Sequence, residues 1–153
     1  MKKLLTLALT IICIFTTLVA CNNSNPSNNN TDTTIVLESC TETLVVIKVT
    51  SANGNTKAIE LLAQLQNDGV LTYTSFDGGY GEYVTSINGK SEVVNGSQGY
   101  SWMLYTSDEE LSSTEFGSLT YYGTVFGQAA LGASLLKVKA DQYYIWAYEG
   151  WSY

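Results

Sequence analysis

The side chains of this sequence that are best equipped to hold a ligand are aromatic. All eleven Tyr and all three Trp lie after Leu71. Their rings offer flat apolar faces and polar edges, which suit sugars, tetrapyrroles and peptide side chains. One face of a small sheet cannot hide so many rings, so we expect some of them to face outward and bind. The candidate ligand-binding residues are Tyr80, Tyr83, Trp102, Tyr121, Tyr122, Trp146 and Trp151.

Two of these candidates have an alternative role in the interior. Trp102 and Trp146 occupy central positions of predicted strands, and inward rings bury large areas that a small domain needs. Their strand positions favour the core. The glycine-rich loop of residues 77–82, with Tyr80 and Tyr83 at its edge, is therefore the first place where we expect ligand contact.

No set of residues points to catalysis or to a metal. The chain has no His, which excludes Ser–His–acid and Cys–His nucleophiles and every His-ligated metal. Asp108, Glu109 and Glu110 lack the alternating oxygen ligands of a calcium loop, so a solvated acidic turn is the better interpretation. No pair of carboxylates stands out for glycoside cleavage. We predict a protein that is not an enzyme and needs no metal; an unrecognised hydrolase is the less favoured alternative.

The charge balance argues against nucleic acid as a partner. The chain has no Arg, and its seven Lys stand against fourteen acidic residues. After residue 20, five Lys and fourteen acids give a formal charge of −9. Affinity for nucleic acid comes largely from cations on phosphates. We therefore predict no nucleic-acid partner.

The first twenty residues have the pattern of an export signal. Lys2 and Lys3 supply the positive end, and residues 4–15 supply the apolar stretch. Leu18-Val19-Ala20-Cys21 resembles the bacterial lipobox, in which a peptidase cuts before a diacylglyceryl-modified Cys. A transmembrane anchor is the alternative, but the stretch is short and is diluted by Thr. We predict a lipoprotein signal peptide over residues 1–20 and a lipid on Cys21 that holds the protein on the extracytoplasmic face of the cell membrane.

The region after the signal is predicted to be a tether. Residues 21–33 are rich in Asn, Ser and Thr and hold too little apolar surface to offset their ordering entropy, so we expect disorder. The folded domain is predicted to span residues 34–153. Cys13 leaves with the signal and Cys21 carries lipid, which leaves Cys40 without a partner and the chain without an intramolecular disulfide. We expect Cys40 to be small, partly buried and near the first strand.

The first half of the domain predicts a hairpin followed by one helix. Residues 34–37 and 44–49 are β-branched runs joined by a short polar stretch. Thr56 is the predicted helix N-cap, and Gly69 follows the predicted stop. Between them, one apolar helical face of the kind that covers a sheet is formed by Ala58, Leu61, Leu62 and Leu65. We expect these aliphatic residues to join helix and sheet, and the aromatic residues to belong to the later strands.

The second half predicts short strands and turns. Asn88-Gly89 is a tight-turn signal, because both residues accept positive φ. Tyr100, Trp102 and Leu104 share one strand face, and so do Tyr144, Trp146 and Tyr148. Predicted strands or hairpins cover residues 71–74, 83–87, 100–105, 117–126, 135–138 and 143–148, with a single helical turn at 128–132.

Three segments of this pattern resemble a known family. They are residues 80–89 (YGEYVTSING), the strand centred on Trp102, and residues 143–148 (YYIWAY), all after a strand and one helix. The arrangement is similar to the transcobalamin-like C-terminal domain family, whose bacterial members are mostly lipoproteins of unknown function. The resemblance covers about residues 44–148.

The resemblance implies an α+β fold, a β-grasp-like mixed sheet packed on one helix, here with additional β-hairpin segments. The sequence departs from the family at residues 55–57, where a strand is shortened, at 140–142, where the family tends to have a Gly-Asp turn, and in an extra segment at 111–131. Transcobalamins clamp cobalamin between this domain and a large helical domain without a counterpart here. The resemblance therefore implies a corrinoid only as one candidate ligand.

These observations predict a membrane-tethered, extracytoplasmic lipoprotein that acts as a non-catalytic binding module without a cofactor. Its exposed aromatic residues would hold a small or extended ligand, with a corrinoid and a glycan as candidates. The alternative is a protein-interaction or structural surface domain, whose sheet edge or aromatic patch docks a surface protein or a transporter.

Overall fold

The computed structural model describes residues 32–153, so the predicted signal peptide, Cys21 and nearly all of the tether lie outside the described residues. The described part is mostly antiparallel β-sheet with one short helix, which confirms the broad α+β prediction. In chain order the elements are β1 (Thr34–Cys40), β2 (Leu44–Ser51), α1 (Ala58–Asn67), β3 (Tyr73–Asp77), β4 (Glu82–Ile87), β5 (Lys90–Ser91), β6 (Val93–Asn95), β7 (Gln98–Thr106), β8 (Ser112–Tyr121), β9 (Thr124–Ala129) and β10 (Tyr143–Ser152).

The strands form two sheets. The large sheet has the order β1-β2-β10-β7-β9-β8, with β6 paired to the first part of β7, and the small sheet has the order β3-β4-β5. Every ladder between these strands is antiparallel. The expectation of a mixed sheet is therefore wrong, because the last strand β10 enters between β2 and β7 against the direction of both.

The predicted first hairpin and helix are confirmed, with one difference at the helix start. Lys57, not Thr56, is the N-cap, and its N–H donates to Glu60 Oε1 at 3.0 Å. The Thr56 hydroxyl is instead bonded to Asn53 Oδ1, 3.0 Å away. The helix ends as predicted, because Gly69 takes φ 71° in the left-handed region that glycine tolerates.

Two turns with positive φ at both central residues close hairpins. Asn88 (φ 49°) and Gly89 (φ 78°) join β4 to β5, as the sequence predicts. Tyr122 (φ 45°) and Gly123 (φ 81°) join β8 to β9 in the same way. The second turn places a bulky aromatic residue at a position that Asn or Gly usually fills, so its ring is held at the hairpin tip.

Two predicted elements between β9 and β10 are wrong. The helical turn at residues 128–132 is absent, because Gln128 and Ala129 finish β9 and the next residues are irregular. Residues 135–138 form no strand and contribute only an isolated bridge between Lys137 and Lys57. Leu136 and Val138 are nevertheless fully buried. Apolar burial without a neighbouring strand explains why this segment has a strand-like sequence.

Side chains are buried on both faces of the large sheet, in two separate hydrophobic cores. The helix-side core joins α1 to the sheet and contains aliphatic and aromatic side chains together, including Leu61, Leu62, Trp102, Tyr144 and Trp146. The second core lies on the opposite face and consists of Val46, Tyr105, Phe126, Ile145 and Ala147. The expected separation of aliphatic from aromatic residues is therefore wrong, although the alternation of faces along β10 is confirmed.

Candidate functional site

Two of the predicted binding residues lie in the interior. Trp102 is 4% exposed and Trp146 is 1% exposed. The Trp102 indole N–H donates to the Lys90 carbonyl at 2.8 Å, which also satisfies its polar edge. Both indoles are nearly inaccessible, although they border a cavity of about 240 Å³ together with Tyr83. Their burial supports the core interpretation, which their strand positions also favour.

The glycine-rich loop carries exposed rings but is held at its base. Tyr80 is 88% exposed, and Tyr83 pairs edge-to-face with Phe76 at 5.7 Å between centroids. The Glu82 N–H donates to Ser134 Oγ at 2.8 Å, and its carbonyl accepts from Ala133 N–H at 2.7 Å. Tyr80 has no ring neighbour among residues 32–153. The Tyr80 and Tyr83 rings therefore lie on the outer surface, and ligand binding at this loop stays a prediction.

The C-terminal candidate, Trp151, lies on another part of the sheet. Its ring is half-buried over Gly99, and its indole N–H donates to Ser101 Oγ at 2.9 Å. A cavity of about 390 Å³ lies beside it, lined by Val93, Tyr100 and Trp151 among others, and no charged side chain lines this cavity. Trp151 therefore has a concave neighbourhood, in which Asn95, Gln98 and Ser152 are the polar side chains.

The remaining two candidates, Tyr121 and Tyr122, meet two further rings at the tip of the β8–β9 hairpin. Tyr121 and Tyr122 contact edge-to-face at 4.6 Å, and Phe126 contacts Tyr143 in the same manner at 5.7 Å. The four rings line a cavity of about 300 Å³ together with Glu38 and other residues. We call this cavity the tyrosine cleft and define it by Glu38, Tyr121, Tyr122, Phe126, Asp141 and Tyr143.

The β8–β9 hairpin reaches the tyrosine cleft because only a short part of β9 pairs with β7 in the large sheet. β9 pairs with β7 only through Tyr105↔Gln128 and Thr106↔Gly127. A register shift between Ser113 and Ser118 then bends β8. Phe126 thereby packs in the core on the second face, and Tyr121 comes close enough to be affected by Glu38 of β1. The cleft thus lies between the hairpin tip and the strands beneath it.

Glu38 organises the polar side of the cleft. The Tyr143 hydroxyl donates to Glu38 Oε1 at 3.1 Å, and this hydrogen bond is the main reason that the pKa of Tyr143 is raised. The pKa of Tyr121 is raised chiefly by desolvation, with further contributions from Tyr122 and Glu38. Both phenols keep their protons at neutral pH, and that of Tyr143 donates to the Glu38 carboxylate.

One cation approaches the cleft. Lys48 Nζ lies 5.5 Å from the centroid of the Tyr143 ring, within the range of a cation–π contact. Lys48 is not among the residues that line the cavity. Asp141, with φ 62°, adds a second carboxylate at the rim. The cleft is therefore an aromatic surface flanked by two acidic side chains.

Sequence reasoning did not select Glu38, Phe126, Asp141 or Tyr143 for this site. Glu38 lies at a register shift of the β1–β2 ladder, between Leu37 and Ser39. No local sequence pattern predicts this shift. The sequence predicts that Tyr143 and Tyr144 are neighbours in the last strand. Because side chains alternate along a strand, the Tyr143 side chain is expected on the face away from the helix if Tyr144 faces it. That alternation is the one sequence signal that could have found it.

Cys40 differs from its expected setting. It is a free cysteine at the end of β1 and is exposed rather than partly buried. Asn88 Nδ2 approaches its Sγ at 3.7 Å.

Residues 32–153 hold no cluster of three or more His, Cys, Asp or Glu arranged for a metal. No helix in this range is long and apolar enough to cross a membrane.

Comparison with known proteins gives no relative. No family model, no curated protein and no solved structure matches the chain.

Proposed function

We propose that this protein is a lipid-anchored, extracytoplasmic binding module that holds a small ligand in the tyrosine cleft without catalysis. The observation that carries the proposal is the convergence of four rings and a carboxylate on one cavity. Ligand sites are typically concave, largely apolar and furnished with a few oriented polar groups. The motif around Cys21 and the tether supply the membrane attachment in this proposal.

The size of the cleft favours a compact ligand. Its volume of about 300 Å³ lies at the low end of the range for ligand pockets, roughly 300–1,000 Å³. A group the size of one sugar ring fits this space and can lie against a tyrosine face. A corrin macrocycle is much larger and would need a second surface to enclose it, so we favour the smaller ligand over a corrinoid.

We retain the finer fold and family assignments as part of the proposal. One helix against an antiparallel sheet is compatible with a β-grasp-like arrangement, and residues 80–89 and 143–148 carry the resemblance to the transcobalamin-like family. The resemblance is consistent with a lipoprotein, which the motif ending at Cys21 predicts independently. It does not enter the argument for the cleft.

A single substitution at the cleft tests the proposal. Tyr122 is 91% exposed, so Tyr122→Ala should leave the fold intact while removing one ring of the site. We expect affinity for a binding ligand to fall about three- to tenfold, since one aromatic contact contributes about 0.5–1.5 kcal/mol. Calorimetric titration with methyl glucoside, N-acetylglucosamine and cyanocobalamin measures the change.

The matched control is Tyr80→Ala, which removes an equally exposed tyrosine from the glycine-rich loop. Its affinity should equal that of the original protein. Greater loss in Tyr80→Ala than in Tyr122→Ala would move the site to the loop and contradict the cleft.

A protein-interaction role is the second candidate, and one observation favours it. Val93 and Val94 of β6 are 52% and 64% exposed, and β6 pairs only with β7, so an apolar strand edge faces outward. Such an edge can pair with a strand of another protein. A stoichiometric partner recovered from detergent-solubilised membranes, and lost when Val94 is changed to Lys, would support this role.

A further inference from the structure

The charge of the tyrosine cleft carries information about its ligand. Two carboxylates, Glu38 and Asp141, belong to the cleft, and among the described residues that line it there is no lysine. The remaining lining residues are the four aromatic residues, Ser107, Thr124 and Gln142. An anionic ligand would meet repulsion here, and the formal charge of −9 after residue 20, from five Lys and fourteen acidic residues, adds to it.

The ring faces themselves favour positive charge. The π-cloud of Tyr or Phe attracts a cation placed within about 6 Å of the ring centroid. The structure contains an internal example, because Lys48 Nζ lies 5.5 Å from the Tyr143 centroid. Tyr121 and Tyr122 contact edge-to-face with an interplanar angle of 71°, so their ring faces point in different directions.

The chemistry of the lining distinguishes between kinds of cation. Metal ions such as Ca²⁺ prefer six to eight oxygen ligands, and the described residues offer no cluster of three or more acidic or metal-binding side chains. An alkylated ammonium group has the opposite needs, since its charge is spread over methyl groups that pack against rings and require no hydrogen bonds. The tyrosine cleft meets those needs.

We propose that the tyrosine cleft binds an organic cation with an alkylated ammonium group, whose methyl groups contact Tyr121, Tyr122 and Tyr143 and whose charge faces Glu38. This inference rests on the proposed function and names the class of its ligand. Lys48 does not line the cleft, but its ammonium group lies near the Tyr143 ring and adds a positive charge that opposes binding of a cation.

The test compares two probes of the same shape. Choline and 3,3-dimethylbutan-1-ol differ in a quaternary nitrogen against a quaternary carbon, so their difference in affinity isolates the charge. Methyl glucoside serves as a neutral ring-shaped ligand. Binding of each is followed by NMR titration of the tyrosine ring signals of the lipid-free domain with its tether. We expect choline to bind about tenfold more tightly than its neutral isostere.

Three variants identify the groups responsible. Glu38→Gln should weaken choline binding about two- to fivefold, because an exposed carboxylate near the cation contributes a modest attraction. Glu42→Gln makes the same change of charge in the β1–β2 turn, away from the cleft, and should leave the affinity unchanged. Lys48→Gln removes the positive charge near the Tyr143 ring and should strengthen choline binding.

The outcomes separate the two proposals. If methyl glucoside or the neutral isostere binds at Tyr121 and Tyr143 as tightly as choline, the cation inference is overturned and the binding function stands. If none of the three probes shifts the signals of Tyr121, Tyr122 and Tyr143, both the cation inference and a small-ligand function of this cleft are overturned.

Discussion

Replacing Trp146 by alanine is expected to lower the free energy of unfolding by about 3–5 kcal/mol. Trp146 is 1% exposed and lies in the middle of β10, opposite Val45 of β2 and Leu104 of β7. Its indole fills the helix-side core together with Leu61 and Leu62. Truncation leaves a cavity at the junction of both ladders, so the lost contacts include those between helix and sheet. Urea unfolding followed by far-ultraviolet circular dichroism measures the loss.

Two comparisons make this prediction specific. Tyr80→Ala removes an exposed ring and should change the free energy of unfolding by less than about 0.5 kcal/mol. Trp146→Phe keeps an aromatic ring in the core and should recover part of the stability. A Trp146→Ala protein as stable as Tyr80→Ala would contradict the interior position of this indole.

Changing Cys21 to alanine is expected to abolish attachment of lipid completely. The thioether on Cys21 is the only proposed site of the diacylglyceryl group, and each buried methylene of an acyl chain contributes about 0.8 kcal/mol to membrane binding. Growth with an alkyne-labelled fatty acid should label the original protein and give no signal for Cys21→Ala. Mass spectrometry should also show that the variant retains residues 1–20, because the lipobox peptidase requires the modified Cys.

Cys40→Ala is the matched control for this experiment. It removes the exposed cysteine at the end of β1, and it should leave both lipid labelling and cleavage unchanged. Persistent labelling of Cys21→Ala would contradict the lipoprotein assignment. Membrane association of the unmodified protein without any label would favour the transmembrane-anchor alternative.

Local patterns in the sequence were sufficient for the elements that depend on near neighbours. The i, i+3, i+4, i+7 spacing from Ala58 to Leu65 predicts α1, and Asn88-Gly89 predicts the β4–β5 turn. The N-cap of α1 is Lys57 and not the predicted Thr56. The Thr56 hydroxyl donates to Asn53 Oδ1, and the Glu60 carboxylate accepts from the Lys57 N–H. The position of β10 between β2 and β7 depends on contacts distant in sequence, which no short pattern encodes.

The candidate site likewise depends partly on features visible in the sequence and partly on contacts between distant segments. Composition indicates that the aromatic residues exceed what one core can hide, and several rings, such as Tyr80 and Tyr122, are indeed exposed. Tyr121 and Tyr122 are two of the seven candidates that the sequence offers. Composition did not indicate that the β8–β9 hairpin folds across the second face of the sheet, where Phe126 and Tyr143 join them. Glu38 joins this group from β1, 105 residues away from Tyr143. A cleft assembled from three distant segments requires the tertiary fold.

The most direct test of this account is a map of ligand contacts on selectively labelled tyrosine rings. The eleven tyrosines are distributed over the glycine-rich loop, the C-terminal strand, the cores and the cleft, so each region has its own reporter. Titration with choline should shift Tyr121, Tyr122 and Tyr143 together and leave Tyr80 and Tyr153 in place. Shifts confined to Tyr80 and Tyr83, with the cleft tyrosines unchanged at saturation, would contradict the claim that the tyrosine cleft is the binding site.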